Sequence, residues 1–116
     1  MADRDPDCLF CKIVSGEIPA EKVLGDAQVV VFRDINPRAP THVLAIPTRH
    51  IPSVADLGDD DADLLAALFG ALRRVATDHG LSSYRIVTNV GPESGQSVFH
   101  LHFHLLGGRA MAWPPG

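Results

Sequence analysis

Residues 98–106 read Val-Phe-His-Leu-His-Phe-His-Leu-Leu, which sets His100, His102 and His104 at every second position. Successive side chains of an extended chain take opposite faces. The pattern predicts a strand over 97–106, with three imidazoles on one face and Phe99, Leu101, Phe103 and Leu105 on the other. The apolar face gives such a strand a core to pack on. One or two histidines on a solvated face need no explanation, but three in strict alternation beside a glycine-bearing loop point to chemistry.

Geometry limits that chemistry. Residues i and i+4 of a strand lie roughly 13 Å apart. Two imidazoles converging on one zinc bridge roughly 10 Å, with Zn–N near ~2.1 Å. A straight strand therefore cannot give all three histidines to one metal. A phosphoryl site suits the row better. Neutral imidazole is a competent nucleophile near neutral pH, and a neighbouring imidazole can donate to phosphoryl oxygens. Phosphoryl transfer is mostly positioning and charge stabilisation, so dense donors are needed. The loop Gly91-Pro-Glu-Ser-Gly-Gln-Ser97 can offer N–H groups and a hydroxyl. There is no Walker loop, so a magnesium requirement is not expected.

The rest of the chain sets the frame. Its 116 residues suffice for one domain, 1–116, with one core. With 46% hydrophobic and 21% charged residues the composition is that of a soluble globular protein. The net charge of −4 without a basic cluster argues against nucleic acid as partner. The polar, acidic start lacks the pattern of a signal peptide and no apolar run has transmembrane length, so a cytoplasmic location without membrane contact is expected. Residues 1–7 are expected as a flexible N-terminus and 109–116 as an irregular tail.

A short helix is predicted over 9–15, ended by Gly16. Strands are predicted over 28–34, 41–47 and 84–90. The best helix spans 59–79: four aspartates crowd its first turns, where the dipole favours them, and Leu64, Leu65, Leu68, Leu72, Val75 and Ala76 recur at helical spacing. Strands around one long helix indicate α+β with a mostly antiparallel sheet. Cys8 and Cys11 form a Cys-x-x-Cys pair, which in a reducing compartment suggests metal or redox chemistry; two reduced, partly buried thiols are the plain alternative.

The stretch 95–108, Gly-Gln-Ser-Val-Phe-His-Leu-His-Phe-His-Leu-Leu-Gly-Gly, closely resembles the signature of the histidine triad (HIT) family. Phe10-Cys-Lys-Ile with Glu17-Ile-Pro-Ala, the segment 32–44, Pro47-Thr-Arg-His-Ile and the closing Trp113-Pro-Pro-Gly agree with its Hint branch. The resemblance implies a half-barrel with a five-stranded sheet, one long and one short helix, and a homodimer sharing a ten-stranded sheet. It implies hydrolysis of purine nucleoside phosphoramidates, with AMP or GMP as the nucleotide. Dinucleoside polyphosphate hydrolysis, or a zinc-stabilised nucleotide-binding protein with little turnover, are the alternatives.

Carried over by resemblance, His102 is the nucleophile, His104 contacts phosphate, and His100 and His42 support them. Ser97 and Asn89 donate to phosphate and leaving group, and Gly95 and Gln96 lie on the phosphate-facing loop. Asp34 accepts the ribose hydroxyls, with a cap on the proline turn that follows it as the less favoured alternative. Leu9, Phe10, Ile13, Phe32, Ile35 and Leu44 line the purine pocket, with plain core packing as the alternative for Leu9, Ile13, Phe32, Ile35 and Leu44. Trp113 reaches the partner subunit's site. In family members carrying Cys-x-x-Cys, zinc is held by residues matching Cys8, Cys11, His50 and His100. Such a site would take His100 away from phosphate.

Overall fold

A computed structural model describes residues 4–116. Five strands, β1 (Lys22–Gly25), β2 (Val29–Arg33), β3 (Thr41–Pro47), β4 (Tyr84–Val87) and β5 (Phe103–Gly107), form one antiparallel sheet in the order β1-β2-β3-β5-β4. Two helices pack on it, α1 (Leu9–Ser15) and α2 (Ala62–Asp78). The expected α+β architecture, five-stranded with one long and one short helix, is present.

The sheet is covered on both faces. Val29 and Val31 of β2, Val43 and Ala45 of β3, and Phe103 and Leu105 of β5 meet Leu64, Leu68, Leu72, Val75 and Ala76 of α2. The intervening residues Val30, Phe32, Leu44 and Ile46 turn to the other face and pack with Phe10, Cys11 and Ile13 of α1. Two-sided burial explains why β2 and β3 read as continuous apolar runs.

α1 has the predicted bounds. Gly16 ends it at φ +86°, in the left-handed region that glycine occupies without strain, and its N–H donates to the Ile13 carbonyl. α2 is shorter than the predicted 59–79. Asp59–Asp61 form a 3-10 turn in which an Asp61 carboxylate oxygen accepts from Gly58 N–H at 2.8 Å, and the helix proper starts at Ala62. β1 has no counterpart among the predicted strands: it is four residues long, ends in glycine and shifts register between Lys22 and Leu24. Of the expected flexible segment 1–7, residues 1–3 lie outside the described residues. The following residues make a turn, with Cys8 N–H donating to Asp5 O at 3.1 Å and Asp7 N–H to an Asp5 carboxylate oxygen at 2.9 Å. Among the described residues no helix is long and apolar enough to cross a membrane.

The predicted strand over 97–106 is the main correction. The ladder starts only at Phe103, so of the three histidines His104 alone lies in it. The physical reason is β3, which runs out at Pro47, a residue with no N–H to donate. Leu101 N–H turns to the Ile51 carbonyl instead, at 2.6 Å. The alternation of faces survives without the pairing: Leu101, Phe103 and Leu105 are in the α2-side core, whereas exposed Phe99 is not. The strand predicted to Val90 likewise stops at Val87, opposite His104.

Leu68 is fully buried at the centre of the α2 face. Leu68→Ala is expected to destabilise the fold by about 2–5 kcal/mol through lost transfer energy and a residual cavity. Urea unfolding checks this as a lower midpoint at an unchanged m-value.

Candidate functional site

The end of the ladder frees backbone carbonyls beside the histidines, and side chains take them. His102 Nδ1 lies 2.7 Å from the His100 carbonyl oxygen. A carbonyl only accepts, so Nδ1 carries the proton, and the neutral ring keeps a bare lone pair on Nε2. The His102 carbonyl in turn accepts from the Thr88 hydroxyl at 2.8 Å. Phe10 from α1 stands edge-on to the His102 ring, centroids 5.1 Å apart at 86°.

His104 sits opposite Leu44 across the ladder, and His42, two residues back on β3, is its diagonal neighbour on the same face. Their rings meet with His42 Nε2 2.9 Å from His104 Nδ1. Arg38 N–H donates to His42 Nδ1 at 3.0 Å, so the proton of neutral His42 is on Nε2 and is donated to His104 Nδ1. Neutral His104 then carries its own proton on Nε2. Asp34 holds one carboxylate oxygen 3.4 Å from His42 Nε2, and with the other accepts from Asn36 N–H at 2.8 Å. The turn-capping alternative for Asp34 is thus realised, with one oxygen beside the histidines. Donor atoms of Asp34, His42 and His104 lie within 4.8 Å of one another, a closeness that the hydrogen bonds themselves explain.

His100 goes elsewhere. It is fully buried, its Nε2 donates to the Pro47 carbonyl at 2.8 Å, and its Nδ1 lies 3.4 Å from Cys8 Sγ and 3.5 Å from Cys11 Sγ. His50 Nδ1 lies 3.4 Å from Cys11 Sγ. Cys11 N–H approaches Cys8 Sγ, and Asp5 N–H approaches Cys11 Sγ, each at 3.4 Å. The four side chains grouped by resemblance therefore meet, with ligand atoms within 4.8 Å of one another.

Burial lowers the pKa of His42, His102 and His104, the last to about 4, because a charged ring would lose its hydration there. His100 is also pushed to about 4 by desolvation, and burial raises the Cys11 thiol. Neutral rings with fixed tautomers suit nucleophilic attack and neutral hydrogen-bond donation.

The surrounding residues divide. Phe10, Ile13, Phe32 and Leu44 are buried and packed together on the α1 side. Leu9 is 44% and Ile35 91% exposed, which leaves them as a rim rather than a closed pocket. Gln96 is buried inside its own loop: its amide nitrogen donates to the Pro52 and Val98 carbonyls, and its amide oxygen accepts from Gly91 N–H. The N–H groups of Gly95 and Gln96 close the same loop on Pro92 and Gly91. The expected phosphate-facing role of Gly95 and Gln96 therefore has no free N–H behind it. Gly95 takes φ +102°, in the left-handed region that glycine occupies without strain, and lies beside the Asn89 amide. Ser97 is exposed, in a depression shared with Cys8, Leu9, His50 and Phe99. Trp113 is 81% exposed on a tail held by hydrogen bonds from Arg85 to the Ala112 carbonyl and from Arg109 to the Arg38 carbonyl. A wider cleft between β1–β2 and α2, lined by Asp26, Arg73, Arg74 and Asp78, contains no histidine or cysteine.

Sequence reasoning missed Thr88, the Arg38 amide and the Pro47 carbonyl. Two of these act through backbone atoms, which side-chain identity does not reveal.

A family profile described as scavenger mRNA decapping enzyme C-term binding matches residues 7–112. An uncharacterized HIT-like protein of Synechocystis is 46% identical over 95% of this chain and 97% of its own length. A 14 kDa zinc-binding protein of Zea mays is 45% identical over 97% of this chain and 90% of its own. Among solved structures, a HIT family hydrolase from Legionella pneumophila matches with TM-score 0.93 and 53% identity, covering 95% of this chain and 100% of that one. One from Clostridium thermocellum matches with TM-score 0.91 and 43% identity over 94% and 96%. Agreement across nearly the whole length means that the chain belongs to the histidine triad (HIT) family.

Proposed function

We propose that this chain is a nucleotide hydrolase acting through a covalent nucleotidyl intermediate on His102 Nε2, with purine nucleoside phosphoramidates of the AMP-amine type as substrates. The observation that carries the reading is the 2.7 Å hydrogen bond from His102 Nδ1 to the His100 carbonyl, which leaves Nε2 unprotonated. That lone pair attacks the phosphorus in line, the P–N bond breaks, and the amine leaves after taking a proton from water. The phosphorylated ring is cationic, and the His100 carbonyl accepting its Nδ1–H stabilises it. Water then attacks the same phosphorus and releases a proton that neutralises the hydroxide left by the first step, Nε2 leaves with the bond electrons, and AMP departs.

His104 Nε2–H is the donor suited to a phosphoryl oxygen, since its Nδ1 is taken by His42. The Ser97 hydroxyl and the Asn89 amide are the further donors we infer for phosphate and leaving group. Leu9, Phe10 and Ile35 offer apolar surface for the purine, and Asp34 an acceptor for the ribose. Apolar contact discriminates bases poorly, so AMP and GMP are both admitted. A second copy of the chain, its Trp113 completing the site, is inferred from the resemblance.

We further infer that Cys8, Cys11, His50 and His100 hold zinc. In a tetrahedral site with Zn–S near ~2.3 Å and Zn–N near ~2.1 Å, ligand sulfur and nitrogen are separated by about 3.6 Å; here they are 3.4–3.5 Å apart. His100 turns the correct nitrogen, because its Nε2–H is committed to Pro47. A Cys₂His₂ set is closed and structural. When bound, the ion supplies a tie between α1 and the segment ahead of β5, and stabilises both thiolates.

Three outcomes are expected. Intact-mass analysis after mixing with an adenosine phosphoramidate and quenching in alkali gains one AMP, which is lost in His102→Ala; wild-type protein with neither adduct nor turnover defeats the proposal. Elemental analysis gives one zinc per chain, and a chelator lowers the melting temperature. The pH response follows from burial. Unfolded histidine takes a proton near ~6.5, whereas folded His104 does so only at about 4. Stability is therefore full above the unfolded value and falls as pH drops from there toward about 4. NMR titration of the His104 ring should show no midpoint between about pH 5 and 8, and the acid limb of kcat should lie below the pKa of free imidazole.

A further inference from the structure

The His100 side chain and the His100 carbonyl serve different partners, and the structure joins them rigidly. Nδ1 faces two thiols, Nε2–H is held by Pro47, and the carbonyl accepts from the nucleophile. His100 lies outside the β5 ladder, so no strand pairing fixes the direction of its carbonyl. What fixes it is the anchored side chain on one side and the Leu101 N–H bond to Ile51 on the other. α1 adds a second link: it carries Cys11, is capped by Cys8, and also bears Phe10, which stands edge-on to both His100 and His102.

We infer that His100 is a positioning residue for catalysis, through which the thiol–imidazole cluster sets the aim of the His102 nucleophile as well as stabilising the fold. This rests on the hydrolase reading above. With the four ligands closed on a divalent cation, the His100 ring cannot rotate, its carbonyl stays 2.7 Å from His102 Nδ1, and the nucleophile keeps one tautomer and one direction. With the cluster open, Cys8, Cys11 and His50 cease to hold the ring. The carbonyl is then held only through the Pro47 contact of the ring and the Leu101–Ile51 bond, and His102 is freer to sample the tautomer whose Nε2 is protonated and inert. Outer contacts of this kind are worth roughly 10–100-fold in activity.

The experiment compares zinc-loaded wild type, wild type stripped by a chelator and reloaded, His50→Ala, and His50→Cys, which restores a four-ligand set. His50 is the ligand to vary because it is only half-buried and has no direct hydrogen bond to His102. All are assayed well below their melting temperatures, with metal content measured. The expected result for the stripped protein and for His50→Ala is a fall in kcat on the order of 10-fold, with KM and AMP affinity within about twofold of wild type on the same reading of kinetic losses. Nitrogen-15 NMR of the His102 ring should show a single Nδ1–H tautomer in the loaded protein and a mixture in the stripped one. Reloading and His50→Cys should restore both readouts. Metal loss that lowers the melting temperature but leaves kcat and the His102 tautomer unchanged overturns the inference, as does a loss confined to KM. A loaded wild type that forms no nucleotidyl adduct defeats the hydrolase reading instead, and the tautomer measurement still tests the coupling by itself.

Discussion

The contact on which the site depends is the hydrogen bond from His102 Nδ1 to the His100 carbonyl oxygen, 2.7 Å long. A carbonyl cannot donate, so this one contact decides which nitrogen of the ring is bare. In a regular ladder the carbonyl of residue 100 would be available to a neighbouring strand's N–H. It is available to a side chain because residue 100 lies ahead of both ladders, β5 pairing with β3 only from Phe103 and with β4 only from His104. A break in sheet pairing is therefore a condition of this contact, and it follows from β4 ending at Val87, opposite His104.

Burial does the electrostatic part. The histidines lie on the smaller of the two packed faces, beside Phe10, Phe32 and Leu44, where a charged imidazole would be poorly solvated. Uncharged but unpaired rings would also be costly there. Each is paired instead, and among the described residues no buried side-chain nitrogen or oxygen lacks a partner. The site keeps its histidines neutral by removing water and keeps them oriented by giving their nitrogens hydrogen-bond partners. The α2 face, tightly packed around Leu68 and Leu72, supports this arrangement from behind the sheet.

Which residues share a face was legible in the sequence. The alternation at 100–105 sends Leu101, Phe103 and Leu105 to one core and the histidines to the other side, as the period of two requires. α1, with Gly16 after it, and β3 at 41–47 follow from local signals of the same kind. What the alternation does not carry is the identity of each backbone partner. Hence the strand predicted over 97–106 overran its ladder by six residues at the N-terminal end, and the one predicted over 84–90 by three at its end. β1 was invisible because four half-exposed residues ending in glycine have no periodic signature. Gln96 misled for a related reason. By resemblance it lies on a phosphate-facing loop, yet its amide closes that loop on Gly91, Pro52 and Val98. The thiol–imidazole group was legible only through family resemblance, since residues 8, 11, 50 and 100 become neighbours only in the folded chain.

The chain of donors behind His104 constrains how the proposed reaction handles protons. It begins at the Arg38 backbone N–H, passes through His42 and ends at His104 Nδ1. A backbone amide is not an acid in water, so the chain can orient a proton but cannot replace one. If His104 gave its Nε2 proton to a leaving amine, His42 could refill it only by becoming an anionic ring, next to the Asp34 carboxylate 3.4 Å away. That charge pair is unfavourable in a buried site. In the proposed reaction His104 is thus a fixed neutral donor to the phosphoryl group, and the leaving amine takes its proton from water. A leaving nitrogen that accepts such a proton readily suits this arrangement, which is a physical argument for the P–N substrates of the proposed reaction over P–O ones.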